Sequence, residues 1–276
     1  MMTAAMPKAP SSARHGGAFE TSPVRKFGEV SIALPQLLSP ANAPVPRNGT
    51  ALAFNYLTLG VPADSTCKHG GARNSASRES HELTATQLEN ILAASRHADA
   101  IGLPFNRMFT VHWQAAGPSL EAMAKATGRF IDLLTRALAR KGYRTACAWV
   151  HESGDGKGGH LHLLAHVPPM MAKPISRLQI GWLRLITGRA YRKKVIRSDA
   201  IGGRLGLETG NPPLHAVNLQ VALGYVCKGA SQAILHAAGL NREHEPGGRI
   251  IGKRCGTSQN IGAKARREHG GGSNAG

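Results

Sequence analysis

Hydrophobic residues recur with regular spacing between about residues 83 and 242, and this pattern predicts a folded domain there. Apolar residues three or four positions apart indicate amphipathic helices. Three of these helices are expected to begin at the capping residues Thr84, Ser119 and Ser176, and a further one is expected over residues 216–228.

Strand-forming residues cluster in three short segments, over residues 108–113, 146–152 and 160–167. The second and third segments flank a Gly-rich stretch over residues 153–159, so they are predicted to pair as an antiparallel hairpin. Helices and strands therefore interleave, with strands joined partly by a hairpin. This order predicts an α+β fold with a central, largely antiparallel β-sheet and helices packed on it.

The segments that flank this domain lack hydrophobic periodicity. Residues 1–82 are rich in Pro, Ala, Ser and Gly, and are expected to form a poorly ordered N-terminal arm and linker. Residues 243–276 are rich in Gly and Arg, and are expected to form a flexible basic tail.

The composition narrows the class of protein. There are 34 Lys and Arg against 16 Asp and Glu, which gives a formal net charge of +18 and favours a nucleic-acid partner. No apolar run is long enough to span a membrane, and the N-terminus lacks an apolar signal core, so no secretory signal is expected. Four widely spaced cysteines argue against a disulfide framework and for a reducing, cytoplasmic location.

Positive charge is densest between Lys173 and Arg204, where nine basic residues stand against one acidic residue. Such a run is often a solvated helix face, but the local excess favours a track for a DNA backbone. The residues expected to bind DNA are Arg192, Lys193, Lys194 and Arg197.

Candidate chemistry begins with His160 and His162. Residues two apart in a strand point to the same face, so both imidazoles are expected to project together and to supply half of a divalent-metal site. His166 lies on the same face, and Glu152, just before the turn on the neighbouring strand, offers a carboxylate. A pair of histidines that simply lines a solvated sheet face stays an open alternative at this point.

A second candidate lies in the last predicted helix, where Tyr225 and Lys228 share one face because they are three residues apart. A tyrosine hydroxyl is a weak nucleophile near neutral pH, and a nearby cation lowers the cost of forming the phenolate. The alternative without a catalytic role is an ordinary amphipathic helix with a tyrosine packed at its edge.

Taken in order, three segments resemble the motifs of the HUH (His-hydrophobe-His) endonuclease superfamily, and most closely its rolling-circle replication initiators of the single-tyrosine type. Those motifs are a strand that begins Phe-Thr, a His-hydrophobe-His strand often preceded by Glu and a Gly-rich turn, and a Tyr-x-x-Lys helix. The matching residues are Phe109, Thr110, Glu152, His160, His162, Tyr225 and Lys228.

This resemblance implies an HUH/RRM-like nuclease fold and a metal-dependent reaction. His160 and His162 would hold Mg²⁺ or Mn²⁺ with a third ligand, for which Glu152 is favoured and His166 is the alternative. Tyr225 would attack a phosphate of single-stranded origin DNA and form a 5′-phosphotyrosine link, while Lys228 would position or neutralise that phosphate. The reaction would initiate rolling-circle replication of a plasmid or a single-stranded DNA phage.

Relaxases and single-tyrosine transposases use similar chemistry and stay as alternatives, as does a non-catalytic basic DNA-binding protein. Only 48 residues follow Lys228, too few for a helicase domain, so a host helicase and polymerase are the expected partners. Residues 247–254 resemble a phosphate-binding loop, but Arg254 stands where Ser or Thr would hold Mg²⁺. No nucleotide cofactor is therefore expected.

Overall fold

The computed structural model describes residues 77–154, 156 and 158–271. The strands of this part are β1 (Glu79–Ser80), β2 (Arg107–Val111), β3 (Cys147–Gly154), β4 (Gly158–Ala165), β5 (Ile196–Ala200), β6 (Ile250–Ile251) and β7 (Cys255–Thr257). The helices are α1 (Ala85–Ala100), α2 (Trp113–Ala116), α3 (Leu120–Ala139), α4 (Ala172–Thr187), α5 (Leu207–Gly210), α6 (Pro212–Cys227), α7 (Gln232–Ala237) and α8 (Ala263–Gly271). None of them combines the length and the apolar character needed to cross a bilayer.

A five-stranded sheet forms the centre of the described domain. Its strands lie in the order β5-β2-β4-β3-β7, and every neighbouring pair is antiparallel. The predicted hairpin is confirmed, since β3 and β4 pair from Cys147 opposite Ala165 to Gly154 opposite Gly158. The predicted α+β class with a largely antiparallel sheet is therefore confirmed.

Helices cover both faces of this sheet. On one face, α3 and α4 bury apolar side chains such as Phe130 and Trp182 against Leu161 and Leu163 of β4. On the other face, α1 and α6 pack against Val150 and other apolar residues of the central strands. Alternate residues of one strand therefore enter different environments, and this fixes the register of the sheet.

Several element boundaries differ from the predicted ones for local reasons. The strand predicted over 108–113 ends at Val111, because Trp113 begins the short helix α2 and is fully buried. Ser176 does not cap α4: the helix begins at Ala172, and the Ser176 hydroxyl donates to the Ala172 carbonyl one turn back. α6 begins four residues before the predicted start because the Asn211 side chain caps it.

The predicted domain boundaries were wrong at the C-terminal end. Residues 243–271 are part of the fold, since β7 is an edge strand of the central sheet and β6 pairs with β1. The pairing of β1 also places residues 79–80, which the sequence assigned to the linker, in the folded part. Residues 1–76 of the expected arm, and residues 272–276 of the expected tail, lie outside the described residues.

Arg254 explains how a Gly-rich basic segment becomes part of the domain. Its side chain is buried, and its guanidinium donates to the carbonyl oxygens of Ser80 and Gly248 at 2.6 and 2.5 Å. A guanidinium has five donors in a planar arrangement. A single arginine can therefore bind several backbone carbonyls and hold together short strands that share few hydrogen bonds of their own.

A buried polar network ties α3 to the sheet. Trp113 Nε1 donates to Thr127 Oγ1 at 2.9 Å, and the Thr127 hydroxyl donates to His151 Nε2 at 2.7 Å. His151 Nδ1 donates to the carbonyl oxygen of Lys253 at 2.9 Å. Burial lowers the pKa of His151 to about 4, so the ring is neutral and each nitrogen has one partner.

The Thr127→Val variant is expected to destabilise the protein by about 2 kcal/mol or more, because Trp113 Nε1 and His151 Nε2 would each stay buried without a partner. Thermal and urea unfolding would measure the loss. Thr127→Ser retains the hydroxyl and is the matched control. Equal stability of the Val and Ser variants would show that the network contributes little.

Candidate metal and nucleophile site

The β3–β4 hairpin brings one carboxylate and two imidazoles together on the α6 side of the sheet. Glu152 lies opposite His160 and Val150 lies opposite His162, so these side chains share one face. Nε2 of each imidazole lies 3.2 Å from Glu152 Oε2, and the ligand atoms of the three residues lie within 4.8 Å of one another. All three side chains are buried, and the cluster could hold a metal ion.

The hydrogen bonds around this cluster fit a bound cation. His160 Nδ1 lies 2.9 Å from the Gly158 carbonyl oxygen, which can only accept, so Nδ1 carries a hydrogen, and Nε2 is an acceptor unless it holds a second proton. This Nε2 faces a Glu152 oxygen, which is also an acceptor, and two acceptors at 3.2 Å repel each other unless a cation or a proton lies between them. The second oxygen, Glu152 Oε1, is buried and has no hydrogen-bond partner among the described residues. The donor set of two imidazoles and a carboxylate therefore fits a divalent metal ion.

Lys228 reaches the same carboxylate from the C-terminal end of α6. Its Nζ lies 2.5 Å from Glu152 Oε2, and both side chains are less than a tenth exposed. Burial alone would raise the pKa of Glu152, but its polar contacts with His160 and His162 and the charge of Lys228 hold it below the usual range. Burial would lower the pKa of Lys228, but the charge of Glu152 raises it. Both groups are therefore ionised at neutral pH.

Tyr225 completes the site one helical turn before Lys228. Its ring lies edge-on to the His162 ring at a centroid distance of 5.0 Å, and Lys228 Nζ lies 5.1 Å from the centre of the tyrosine ring. Burial raises the pKa of Tyr225 above its usual value, and the charge of Lys228 only partly opposes this. Lys228 therefore favours the phenolate as expected, but burial outweighs its charge, and the charges of Glu152 and Glu245 add to the rise.

Thr110 contributes to the geometry in a way that sequence reasoning missed. Thr110 is in β2, which pairs with β4 on one side and β5 on the other. It lies opposite His162 of β4, and its Oγ1 lies 3.2 Å from His162 Nδ1. A hydrogen bond from Nδ1 to this hydroxyl leaves Nε2 free as a metal ligand, which is the usual way that proteins orient a ligating histidine. The signal in the sequence is the Phe-Thr dipeptide, of which Phe109 faces the opposite core.

His166, the alternative third ligand, lies outside the His–His–Glu cluster. It follows the last residue of β4, and its Nδ1 lies 2.9 Å from the carbonyl oxygen of Pro104. An even number of residues between His160 and His166 was therefore not enough to place His166 in the cluster, because it lies at the opposite end of β4 from His160.

The predicted DNA-binding residues connect to the metal cluster through the end of one loop and through the sheet. Arg192, Lys193 and Lys194 are exposed in the loop between α4 and β5. The end of this loop contacts the site through His112: its backbone N–H donates to the Val195 carbonyl at 2.8 Å, and its ring stacks on His160 at 5.5 Å between centroids.

Arg197 lies in β5, in the same cross-strand row as Thr110 and His162. Its side chain is more than half exposed and forms an ion pair with Asp199 at 2.5 Å. The four basic residues therefore form an exposed positive margin beside the site, extending from the loop to the edge strand. We call this set, Arg192, Lys193, Lys194 and Arg197, the basic margin.

Comparison with known proteins adds no relative: no protein-family model, no curated protein and no solved structure matches this chain.

Proposed function

We propose that this protein is a metal-dependent, single-tyrosine DNA endonuclease and strand transferase of the HUH type, which nicks single-stranded origin DNA to initiate rolling-circle replication of a plasmid or phage. The observation that carries the proposal is the meeting of Tyr225 and Lys228 with the buried cluster of Glu152, His160 and His162. These residues come from a hairpin and from a helix more than 60 positions later in the chain. A merely structural tyrosine would not need to lie against a ligand set suited to phosphate chemistry.

The proposed reaction is a transesterification. The Tyr225 hydroxyl oxygen forms a bond to the phosphorus of one phosphodiester, and the bond from that phosphorus to the 3′ oxygen breaks. The phenolic proton is lost, and the 3′ oxygen gains a proton, so the products are a 5′-phosphotyrosine and a free 3′-hydroxyl. Attack by a 3′-hydroxyl on the phosphotyrosine reverses the step and joins a strand without any other energy source.

Burial raises the pKa of Tyr225, so the phenol is protonated at neutral pH and would lose its proton during the attack. Attack by a neutral phenol on a phosphodiester is favoured when a nearby cation stabilises the negative charge of the phosphate. Lys228, held ionised by Glu152, lies close enough to the tyrosine ring to serve that purpose.

Glu152, His160 and His162 would hold Mg²⁺ or Mn²⁺, and the ion would polarise the scissile phosphate as a Lewis acid. The Gly158 carbonyl fixes the hydrogen of His160 on Nδ1, and the Thr110 hydroxyl can accept a hydrogen bond from His162 Nδ1, an arrangement in which both Nε2 atoms would present lone pairs to the ion. The five-stranded antiparallel sheet with helices on both faces supports an HUH-type fold for this site. The proposal also implies that a host helicase and polymerase continue replication from the free 3′-hydroxyl.

Covalent capture tests the proposal. The protein is mixed with a pool of single-stranded oligonucleotides that includes hairpins, in Mn²⁺ or in EDTA, and separated on a denaturing gel. A 3′ label should move with the protein, because the proposed link is to the 5′ side of the downstream fragment. A 5′ label should appear on a shorter free fragment that a polymerase can extend.

A metal-dependent adduct with this label pattern supports the proposal. An adduct that carries the 5′ label would contradict the proposed polarity. Binding of the pool without any adduct would favour the non-catalytic DNA-binding alternative.

The basic margin is expected to contribute to DNA affinity. Replacing Arg192, Lys193 and Lys194 by Ala should weaken binding of a single-stranded oligonucleotide and lower the salt slope by about 0.7 for each phosphate that the loop no longer neutralises. Fluorescence anisotropy over a range of salt concentrations measures both quantities. The control variant replaces Arg136, Arg140 and Lys141, which are also exposed but lie at the C-terminal end of α3, whereas the first residue of α3, Leu120, is the one near Gly159 of the hairpin. An unchanged slope in the first variant would exclude the loop from the DNA interface.

A further inference from the structure

A second pair of charges lies directly outside the Glu152–Lys228 pair. Glu245 Oε2 lies 3.4 Å from Lys228 Nζ, and Glu245 Oε1 lies 2.7 Å from Arg242 Nη2. The guanidinium carbon of Arg242 lies 5.3 Å from the centre of the Tyr225 ring. Two cations therefore flank the proposed nucleophile, and one carboxylate bridges them.

The position of this segment is fixed by the backbone. The Glu245 N–H donates to the carbonyl oxygen of Lys228 at 3.0 Å, and the Gln232 side chain donates to the carbonyl oxygen of Arg242 at 3.2 Å. Replacing either the Arg242 or the Glu245 side chain leaves these backbone hydrogen bonds available.

Exposure shows which end of the charge cluster meets solvent. The side chains of Glu245 and Arg242 are 42% and 38% exposed, whereas that of Lys228 is only 7% exposed. An anion that approaches Lys228 therefore meets Arg242 and Glu245 first. Half-exposed ion pairs contribute little to stability, so the Glu245 carboxylate can be exchanged for another anion at low cost.

The chemistry of the bridging group indicates what that other anion is. A carboxylate and a phosphodiester each present two equivalent anionic oxygens on one atom, and both bind arginine and lysine through charge-assisted hydrogen bonds. Arg242 Nε is buried and has no hydrogen-bond partner among the described residues, so the guanidinium keeps a donor for a further acceptor.

We propose that Arg242 and Lys228 form the binding site for the non-bridging oxygens of the scissile phosphodiester, and that Glu245 occupies this anion position until DNA displaces it. The inference rests on the proposed function and deepens it. Arg242 becomes a catalytic residue that the Tyr-x-x-Lys spacing does not reveal, and Glu245 becomes a built-in competitor of the substrate.

Two variants test the two halves of this inference. Glu245→Gln removes the competing charge and should tighten binding of a fluorescein-labelled single-stranded oligonucleotide about fivefold, with a steeper dependence on salt. Arg242→Ala should slow adduct formation at saturating DNA at least about tenfold, since it removes a charge that stabilises the reacting phosphate. Arg242→Lys should recover part of that rate.

The exposed pair of Asp132 and Arg136 on α3, at 2.9 Å, supplies the matched controls. Asp132→Asn and Arg136→Ala make the same changes of charge away from the site and should alter neither affinity nor rate. If Glu245→Gln does not fold, as judged by thermal unfolding, Glu245→Asp keeps the charge on a shorter side chain and should tighten binding by a smaller factor.

Failure of this inference is distinguishable from failure of the proposed function. A wild-type adduct that forms equally fast in Arg242→Ala would overturn the role of Arg242 and leave the endonuclease intact. Unchanged or weaker DNA binding by the Glu245 variants would overturn the competitor role, whether or not the wild type forms an adduct. Absence of a wild-type adduct removes the endonuclease and, with it, the catalytic role of Arg242.

Discussion

The Tyr225→Phe variant is expected to bind single-stranded DNA as the wild type does and to form no covalent adduct with it. The substitution removes only the hydroxyl, so the ring can keep its contact with His162 and its position beside Lys228. Loss of an attacking atom cannot be compensated by binding, and the rate should fall by roughly 10³-fold or more. Covalent capture in Mn²⁺ measures the adduct, and anisotropy measures the affinity.

Tyr143→Phe is the matched control for this variant. Tyr143 is partly buried against the α3 and α4 core on the other side of the sheet, so removing its hydroxyl should leave the adduct unchanged. An adduct that persists in Tyr225→Phe would show that a different residue is the nucleophile. Weakened DNA binding together with loss of the adduct would instead indicate that the tyrosine hydroxyl contributes to substrate affinity.

The hairpin and its histidine face could be predicted from the sequence because both depend on local rules. A Gly-rich turn between two apolar strands specifies a hairpin. His160 and His162 lie on one face because they are two residues apart in a strand. Glu152 follows from the same hairpin, since the turn sets which residue lies opposite His160.

The role of Lys228 could be predicted only in part. Because Lys228 follows Tyr225 by three residues, it lies beside Tyr225 on one face of a helix, and the structure shows the contact. The sequence does not show that the nearest carboxylate lies 76 residues earlier, or that burial of Tyr225 outweighs the effect of the Lys228 charge on the tyrosine pKa. Such long-range electrostatic contacts depend on how α6 packs on the sheet, which periodicity does not determine.

The C-terminal segment could not be predicted for a different reason. β6 and β7 are two and three residues long, too short to show alternation, and their surroundings are rich in Gly and Arg. Composition of this kind usually indicates a tail. Here the buried Arg254 and the pairing of β7 with β3 bring the segment into the domain, and the same stretch of chain carries Arg242 and Glu245 to the site.

The Glu152→Gln variant is expected to lose divalent-metal binding and also to destabilise the metal-free protein. The amide keeps the shape of the side chain but lacks the charge, so the metal affinity should fall by at least about tenfold. Lys228 would then remain buried without its nearest counter-charge, and Glu245 at 3.4 Å would be its remaining carboxylate partner. Breaking a buried pair costs about 3–5 kcal/mol, and the second partner makes the lower end of that range the expected loss.

A second substitution separates these two effects. In Glu152→Gln combined with Lys228→Met, no unpaired charge is buried, so the free energy of unfolding should recover most of the loss. Metal binding, measured by calorimetry with Mn²⁺ and by the rise in Tm that the ion produces, should not recover, because the carboxylate ligand is still absent.

If the double variant binds Mn²⁺ as the wild type does, Glu152 is a structural partner of Lys228 and not a ligand. If the single variant keeps wild-type stability but loses the metal-dependent rise in Tm, then Glu245 alone satisfies Lys228, and Glu152 serves the metal site only.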